Sequence, residues 1–356
     1  MTVAASRAPL RGDSARGAKP HNSAMHSTTS PTSPTPLFSL PREGVARLAH
    51  WGVIEVSGAD KASFLQGQLT NDVTQLSPTQ ARLAAFCSAK GRMQASFIAL
   101  QGANGDILLI CSKDLLAATL KRLSMFVMRA KAQLRDASAD YSLYGLLGAS
   151  TGLDGAHTPA PWQARALAGT SVVQLYPALG LARQMCLTPV GAPAPEGSAM
   201  SVDDWLCSEV LSGVATLSAA VVDAFVPQML NYESVGGVSF KKGCYPGQEV
   251  VARSQFRGTL KRRAYIVALQ QAAMPSPAAE PGAAPAMFAG QEVFSTQDAS
   301  QPCGVVAQAA HKGDGRWVGI VSMPTSAAAD HSLCLGSIDG AAIALLPLPY
   351  ALLEDI

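Results

Sequence analysis

The chain has 356 residues, of which 48% are hydrophobic, and its formal net charge is +2. This length accommodates two or three domains, and the apolar content excludes wholesale disorder. The first 36 residues hold four cations against one acid, so the remaining body is close to neutral. Such a body lacks the basic surface of a nucleic-acid-binding domain, and no direct nucleic-acid partner is expected.

Cysteine and histidine patterning argues against a metal centre. The seven cysteines show no metal-ligand or cluster-ligand spacing, and their odd number is unlike a disulfide framework. Only four of the six histidines lie in the body, and they are scattered. We therefore expect no metal site built from these residues, and a reducing, cytoplasmic setting. No segment is long and apolar enough to predict a membrane span.

Residues 1–36 are rich in Ser, Thr and Pro, which predicts a disordered tail. The run RLAHWGVIEVSG then has alternating apolar positions at Leu48, Trp51 and Val53, which predicts one strand ending at Gly58. Asp60 is expected to cap a helix that follows directly. Strands are predicted over 81–87, 93–100 and 106–112. A helix capped by Asp114 and a strand near 141–147 complete this part of the chain.

Alternation of helices with antiparallel strand patterns indicates an α+β region over 37–260. Within it, residues 150–200 are predicted to be irregular with short strands, and 201–213 to form a helix that stops at Gly213. From residue 261 to 356, short apolar runs separated by turns predict a small β-barrel. The low-complexity stretch 271–288 is predicted to be a surface loop of that barrel.

The stretch GGVSFKKGCYPGQEVVARSQFRG, residues 236–258, holds the most reactive candidate side chain. Cys244 follows Lys241 and Lys242 and precedes a predicted helix whose Val250, Val251 and Phe256 can face a core. The lysines and the unpaired N–H groups of a helix start both lower a thiol pKa. The alternative is that Cys244 is a small buried filler beside a solvated turn. P-loop, Rossmann and HExxH motifs are absent from the sequence.

The longer segment FVPQMLNYESVGGVSFKKGCYPGQEVVAR closely resembles the signature of the YgfZ-type folate-binding proteins, relatives of the tetrahydrofolate-dependent glycine-cleavage T-protein. GADKASFLQGQLTNDV, CSAKGRM and LLPLPYALLEDI look like further segments of that family, so the resemblance spans roughly residues 40–355. It implies a T-protein-like folate-binding fold of three modules around a central hole, two of them ferredoxin-like and the last a β-barrel. It also implies a role in assembling, maintaining or repairing iron–sulfur clusters of client proteins, including tRNA-modifying enzymes.

Carried over residue by residue, the resemblance assigns the motif thiol to Cys244. The flanking motif positions are Lys242, Tyr245, Gly247, Gln248 and Glu249. The two folate-contacting tryptophans match Trp51 and Trp205, and an indole face suits a flat pterin. The alternative is that both are core residues. Lys242 or Arg253 is expected to meet the folate glutamate carboxylates, unless these are plain surface cations.

The sequence departs from the T-protein pattern where a carboxylate is needed. Ala95 and Ser96 stand where T-proteins carry paired aspartates, and neither can act as a general base. Leu211 stands where an acidic residue is common. Asp72 is retained, but a cap or turn explains it equally well.

Three interpretations stay open. The first is a tetrahydrofolate-binding iron–sulfur maintenance factor with Cys244 as a reactive or cluster-contacting thiolate and no stable metal of its own. The second is a folate-dependent one-carbon transferase. The third is a folate-binding scaffold with a structural cysteine.

Overall fold

A computed structural model describes residues 38–152, 158–167, 169–256, 260–269, 286–298, 300–329 and 332–353. Within them the chain forms two five-stranded antiparallel sheets and a closed six-stranded barrel, which confirms the predicted α+β fold with a C-terminal barrel. The predicted tail over 1–36 and most of the predicted 271–288 loop lie outside the described residues.

The first sheet holds the strands predicted over residues 81–112. Its spatial order is β3 (Arg82–Cys87), β4 (Met93–Gln101), β5 (Ile107–Ser112), β2 (Trp51–Ser57) and β6 (Gln133–Asp136). Helix α1 (Lys61–Gln66) follows β2, and helix α2 (Lys113–Ser124) packs against β2, β5 and β6. Asp60 occupies the N-cap position of α1, as predicted, but its side chain makes no capping hydrogen bond, and the N-cap residue of α2 is Ser112 rather than Asp114. The Asp60 carboxylate accepts the backbone N–H of Lys131 at 2.7 Å, and Asp114 lies inside the first turn of α2 and accepts the N–H of Ala219 at 2.8 Å.

The second sheet corrects two predictions. Its spatial order is β1 (Glu43–Arg47), β7 (Tyr141–Gly148), β10 (Leu181–Pro189), β9 (Thr170–Ala178) and β8 (Ala164–Leu167). The single strand predicted over RLAHWGVIEVSG is two strands, because the chain turns after Arg47 and passes from this sheet to the first. The region predicted as irregular contains two nine-residue strands, because its glycines close turns between strands: Gly180 has a φ of +78° between β9 and β10.

Helix α3 (Val202–Leu211) confirms the predicted helix and connects the sheets to the barrel. Ser201 caps it by accepting the backbone N–H of Asp204 at 3.0 Å, and Gly213 follows with a φ of +68°. The chain then forms 3₁₀ turns, helix α4 (Gln248–Phe256) and the barrel, which also contains the short helix α5 (Thr325–Ala328). The barrel order is β11 (Arg262–Leu269), β14 (Trp317–Pro324), β13 (Gly304–His311), β12 (Glu292–Ser295), β15 (Leu333–Leu335) and β16 (Ala342–Leu346).

The main core is continuous across both sheets, α3 and one side of the barrel. Trp205 of α3 is fully buried there, at 0% exposure. A Cβ built on Gly145 of β7 would lie only 2.4 Å from the Trp205 indole, so the bare backbone of Gly145 provides the space for that ring. The position of α3 over the second sheet therefore depends on a glycine at 145.

Gly145→Ala is expected to lower the free energy of unfolding by about 1–3 kcal/mol, because the added methyl overpacks a closed core. Urea denaturation of the full chain measures this. Gly313→Ala is the matched control, since a Cβ at Gly313 meets nothing within 4 Å. Equal stability of the two variants would show that α3 is free to shift away from the sheet.

Candidate functional site

A pocket of about 450 Å³, counting its mouth, lies between the two sheets. Trp51 and Phe97 line it from the first sheet, Arg183 and Met185 from the second, and Glu209 from α3. Further aromatic side chains in the lining are Trp162, Tyr176 and Tyr232. An apolar pocket with a few convergent polar groups is the usual form of a small-molecule site.

The Glu209 carboxylate is the polar centre of this pocket. Its Oε1 accepts the indole N–H of Trp51 at 2.9 Å and that of Trp205 at 2.7 Å, and lies 3.3 Å from His50 Nε2. Burial by itself raises the pKa of Glu209, but His50, Arg183 and the Trp51 hydrogen bond together hold it below its ordinary value. Glu209 is therefore ionised at neutral pH. Among the described residues no side chain or backbone group bonds Oε2, which leaves that oxygen for a ligand.

Sequence reasoning missed Glu209, although a signal was present. Trp205 and Glu209 are four residues apart, so they share one face of α3. An acid inside the apolar run WLCSEVLSG also needs buried partners. The sequence comparison with T-proteins pointed instead to Leu211, which is 2% exposed and packs in the core.

The two predicted tryptophans occupy different environments. Trp51 is 7% exposed and lines the pocket, whereas Trp205 is outside the lining and packs on Gly145. The guanidinium of Arg183 lies 4.6 Å from the centre of a Trp205 ring. Burial lowers the pKa of Arg183 to about 10, opposed by Glu209, so Arg183 stays charged at neutral pH. Trp205 therefore does not line the pocket itself. Its indole N–H bonds the Glu209 carboxylate, which does line the pocket.

The wall formed by β4 carries no carboxylate. Ala95 is fully buried, and Ser96 lines the pocket while its Oγ accepts the backbone N–H of Leu217 at 2.9 Å. Among the described residues that line the pocket, Glu209 is the only Asp or Glu. Small side chains therefore stand where the resemblance would place the T-protein aspartates.

Cys244 lies in a second region, the segment Gly236–Gly247, which we call the thiol loop. Its side chain is exposed, whereas burial raises the pKa of four other thiols to about 12: Cys87, Cys111, Cys186 and Cys207. The predicted helix is present, but it begins at Gln248 rather than at Pro246 or Gly247, and it buries Val251. The prediction that Phe256 faces the core is wrong. Phe256 is 60% exposed, because the last turn of α4 extends past the core and packs its ring edge-on against Phe240.

The segment that contains α1 holds the thiol loop from one side. Lys242 donates from Nζ to the carbonyl oxygens of Gln66 at 2.5 Å and Leu69 at 2.6 Å. Thr70 Oγ1 donates to the Gly237 carbonyl and Asn71 Nδ2 to the Gly236 carbonyl, each at 2.7 Å. The Gln66 carbonyl belongs to the last residue of α1 and the Leu69 carbonyl follows the helix, where backbone acceptors are left without helical partners.

Asp72 follows that segment as a cap. Its carboxylate accepts from the Thr74 hydroxyl at 2.5 Å and from the Thr74 backbone N–H at 3.1 Å, at the start of the 3₁₀ turn Val73–Gln75. Chiefly because of the Thr74 hydroxyl, the pKa of Asp72 lies below its usual value. The structure therefore shows Asp72 as a helix cap, the role that the sequence offered as an alternative to retention from the T-protein pattern.

The hairpin turn between β3 and β4 closes the other side of the thiol loop. A Cβ on Gly247 would lie 2.4 Å from the Ser88 carbonyl oxygen and 2.5 Å from Gly91. Gly247 also has a φ of +79°, so only glycine fits here. The three segments quoted from the sequence, around residues 66–72, 87–93 and 236–250, thus meet at one place.

The predicted motif residues around Cys244 divide into buried and outward-facing groups. Lys242 and Tyr245 are buried, with Lys242 Nζ 4.8 Å from the Tyr245 ring centre. Burial lowers the pKa of Lys242 to about 8, although Asp72 and Cys244 raise it. Gln248 is partly exposed at the start of α4, and Arg253 is 59% exposed and pairs with Glu249 at 2.6 Å. Lys242 is therefore engaged with backbone carbonyls.

The structure does not bring the thiol loop into the pocket lining, but the chain connects the two. Tyr232 lines the pocket and donates its hydroxyl to the Ala215 carbonyl at 2.7 Å. Trp162, also in the lining, donates from Nε1 to the Val235 carbonyl at 2.7 Å. The next residue, Gly236, begins the thiol loop.

Comparison with known proteins identifies first the fold and then the family. The structure matches the glycine cleavage system aminomethyltransferase T from Bartonella henselae with a TM-score of 0.59 and 14% identity, covering 87% of this chain and 86% of that one. The fold is thus that of the T-protein. A protein named tRNA-modifying protein YgfZ from Sodalis glossinidius is 31% identical over 336 residues, 91% of this chain and 98% of its own.

Its counterpart from Yersinia pestis is 30% identical over 321 residues, 86% of this chain and 92% of the relative. The chain therefore belongs to the YgfZ family of tRNA-modifying proteins, which confirms the resemblance read from its motifs. No protein-family profile matches the sequence.

Across the described residues, helices are too short or too polar to cross a bilayer. The same residues contain no group of three or more His, Cys, Asp or Glu side chains placed to bind a metal ion.

Lys242→Met is expected to loosen the thiol loop, because the buried Leu69 carbonyl and the part-buried Gln66 carbonyl lose their donor, at a cost of about 1–3 kcal/mol for a buried acceptor. Hydrogen–deuterium exchange should then speed up over residues 239–247, with a lower melting temperature. Lys241→Met is the matched control, since Lys241 is exposed. Unchanged exchange in Lys242→Met would mean that packing of Tyr245 alone holds the loop.

Proposed function

We propose that this chain binds tetrahydrofolate in the pocket between its sheets and serves the assembly, maintenance or repair of iron–sulfur clusters in client enzymes, including tRNA-modifying enzymes. The observation that carries the proposal is Glu209, a buried and ionised carboxylate that faces an aromatic pocket with one oxygen unused. Membership of a family named for tRNA modification supports the class of client.

The residues of the pocket fit a reduced folate. A pterin has a flat ring whose edge presents an N–H and an amino group side by side, and an ionised carboxylate is a strong acceptor for such donors. Glu209 would accept at that edge, and Trp51 would offer apolar area to the ring. Trp205, His50 and Arg183 would keep Glu209 oriented and ionised. When bound, tetrahydrofolate supplies a reduced ring that carries one-carbon units.

The pocket supports binding better than one-carbon transfer. A transferase needs a carboxylate aimed at the reacting nitrogen or carbon, and β4 presents Ala95 and Ser96 in that place. Glu209 is a poor substitute as a proton acceptor, because its lowered pKa makes it a weak base. The second interpretation, a one-carbon transferase, is therefore not favoured.

Cys244 is the side chain that we assign to contact with clients. It is exposed, and the loop that presents it is fixed by Lys242, Thr70 and Asn71. One thiol cannot hold a cluster alone, since clusters typically have four ligands, so any cluster contact would be shared with a client. A cysteine that only fills space in the core would be buried, whereas Cys244 is exposed on a loop held by hydrogen bonds. This argues against a purely structural cysteine.

Titration of full-length protein with tetrahydrofolate is expected to quench tryptophan emission saturably. Glu209→Gln should weaken binding about ten- to a hundredfold, because hydrogen bonds to a charged group contribute about 1.5–3 kcal/mol. Trp51→Phe should weaken it as well, whereas the control Trp317→Phe, in barrel strand β14, should not. Absence of both quenching and heat of binding in the wild type would refute the folate site.

Cys244→Ser is expected to abolish support of client enzymes without changing folate affinity. The measurement is the content of tRNA modifications made by iron–sulfur enzymes, by mass spectrometry, in cells that carry each variant in place of the chromosomal copy. Cys303→Ser, at the partly buried Cys303, is the control. Full support by Cys244→Ser would favour the scaffold interpretation, and formation of methylene-tetrahydrofolate by the wild type would favour the transferase.

A further inference from the structure

An unusually apolar surface lies at the end of α2, far in sequence from the thiol loop. Met125 is 68% exposed, Phe126 40% and Met128 86%. These three belong to the run SMFVMRAK, in which α2 ends and the chain turns toward β6. Single exposed apolar residues are common, but three large ones in four positions mark an interaction site.

The same surface is strongly basic. Lys121, Arg122 and Arg129 are all exposed, and the sequence has no Asp or Glu between Asp114 and Asp136. Within the described part of the chain, none of these three cations takes part in a hydrogen bond or ion pair. Some other cations of the fold do have acidic partners: Arg135 pairs with Glu55 and Asp140, Arg253 with Glu249, and Arg316 with Asp314. Unpaired cations around apolar side chains suit an acidic partner.

A cleft of about 400 Å³ adjoins this surface, between α2 and strands β3 and β4. Leu115, Ala118 and Arg122 line it from one face of the helix, at helical spacing, and Phe86 lines it from β3. Gln94 lines it from β4, and its Oε1 is buried without a partner in the described structure. Such an acceptor suits a peptide N–H, while the apolar walls suit one large side chain.

We propose that this surface, defined by Met125, Phe126, Met128, Lys121, Arg122, Arg129 and the adjoining cleft, docks an acidic segment of a partner protein that carries a large apolar side chain. The apolar residues and the buried acceptor favour a polypeptide over RNA, whose phosphates need cations alone. The acidic character follows from the unpaired cations.

The surface is connected to the thiol loop by direct contacts. The Phe126 ring packs edge-on against Phe86, with ring centres 6.3 Å apart. Phe86 forms a β-bridge with Leu69, and the Leu69 carbonyl accepts from Lys242 in the thiol loop. These contacts link the docking surface to the loop that carries Cys244, and we take a client enzyme as the occupant. That last step rests on the proposed function, whereas the docking chemistry does not.

The test uses full-length protein and a short fluorescein-labelled synthetic peptide of glutamates interspersed with leucine and phenylalanine. Fluorescence anisotropy should show binding that weakens as salt is added. A peptide with lysines in place of the glutamates, one with serines in place of the apolar residues, a single-stranded RNA and phosphatidylserine vesicles should all bind more weakly. Absence of binding by the acidic peptide, equal binding of either altered peptide, or tighter binding of RNA or vesicles would overturn the proposal.

Two pairs of exposed-site variants localise the binding. Arg122→Glu combined with Arg129→Glu should weaken the acidic peptide about tenfold or more, since like charges then face each other. Met128→Ser should weaken it too. The controls are Arg165→Glu and Leu167→Ser, an exposed cation and an exposed apolar residue on β8 of the other sheet. Equal loss in the controls would overturn the assignment.

Tetrahydrofolate titration of the same variants separates the two proposals. The Arg122, Arg129 and Met128 variants should bind folate like the wild type, because none of these residues lines the pocket. Folate binding without peptide binding would refute the docking proposal and support the folate-binding proposal. Peptide binding without folate binding would refute the folate-binding proposal and support the docking proposal.

Discussion

The buried carboxylate of Glu209 is the interaction on which the arrangement of this protein depends. It joins Trp51 of the first sheet, Trp205 of α3 and His50 of the turn between the sheets at one oxygen. An ionised carboxylate inside a core is costly unless its partners are in place, so the three donors and the carboxylate constrain one another. Gly145 and Arg183 then determine where the Trp205 ring lies. The pocket wall is thus held in place by the Glu209 carboxylate, the two tryptophans and Gly145, which come from α3 and from both sheets.

The thiol loop shows the same construction from separate segments. A lysine buried against the end of α1, two side-chain donors from the following turn, and a glycine pressed on the β3–β4 hairpin hold it in place. The pocket and the loop are continuous along the chain, because Tyr232 and Val235 belong to the pocket surroundings and Gly236 starts the loop. The pocket and the exposed thiol are therefore parts of one folded unit, and the basic surface at the end of α2 contacts it through Phe86.

Several features of the fold were predictable because they are local. The strands β3, β4 and β5, the helix α3 with its stop at Gly213, and the barrel all follow from apolar periodicity and turn residues that act over a few positions. Predictions failed where a distant partner decides. Asp60 and Asp114 have the composition of caps, yet their carboxylates bind Lys131 and Ala219 from other parts of the chain. Phe256 has helical spacing, yet the core ends before it.

The sequence by itself determined the family and the chemical groups, because the Lys-Gly-Cys-Tyr motif and its companion segments are specific and local. It pointed to Cys244, Lys242, Trp51 and Trp205 as residues of interest. Only the tertiary structure decided what they do: Trp51 lines a pocket, Trp205 is enclosed and holds Glu209, and Lys242 is bonded to backbone carbonyls. The reason is physical. The bonds from Trp51 to Glu209 and from Lys242 to Leu69 join segments more than a hundred residues apart, and no local pattern encodes those distances.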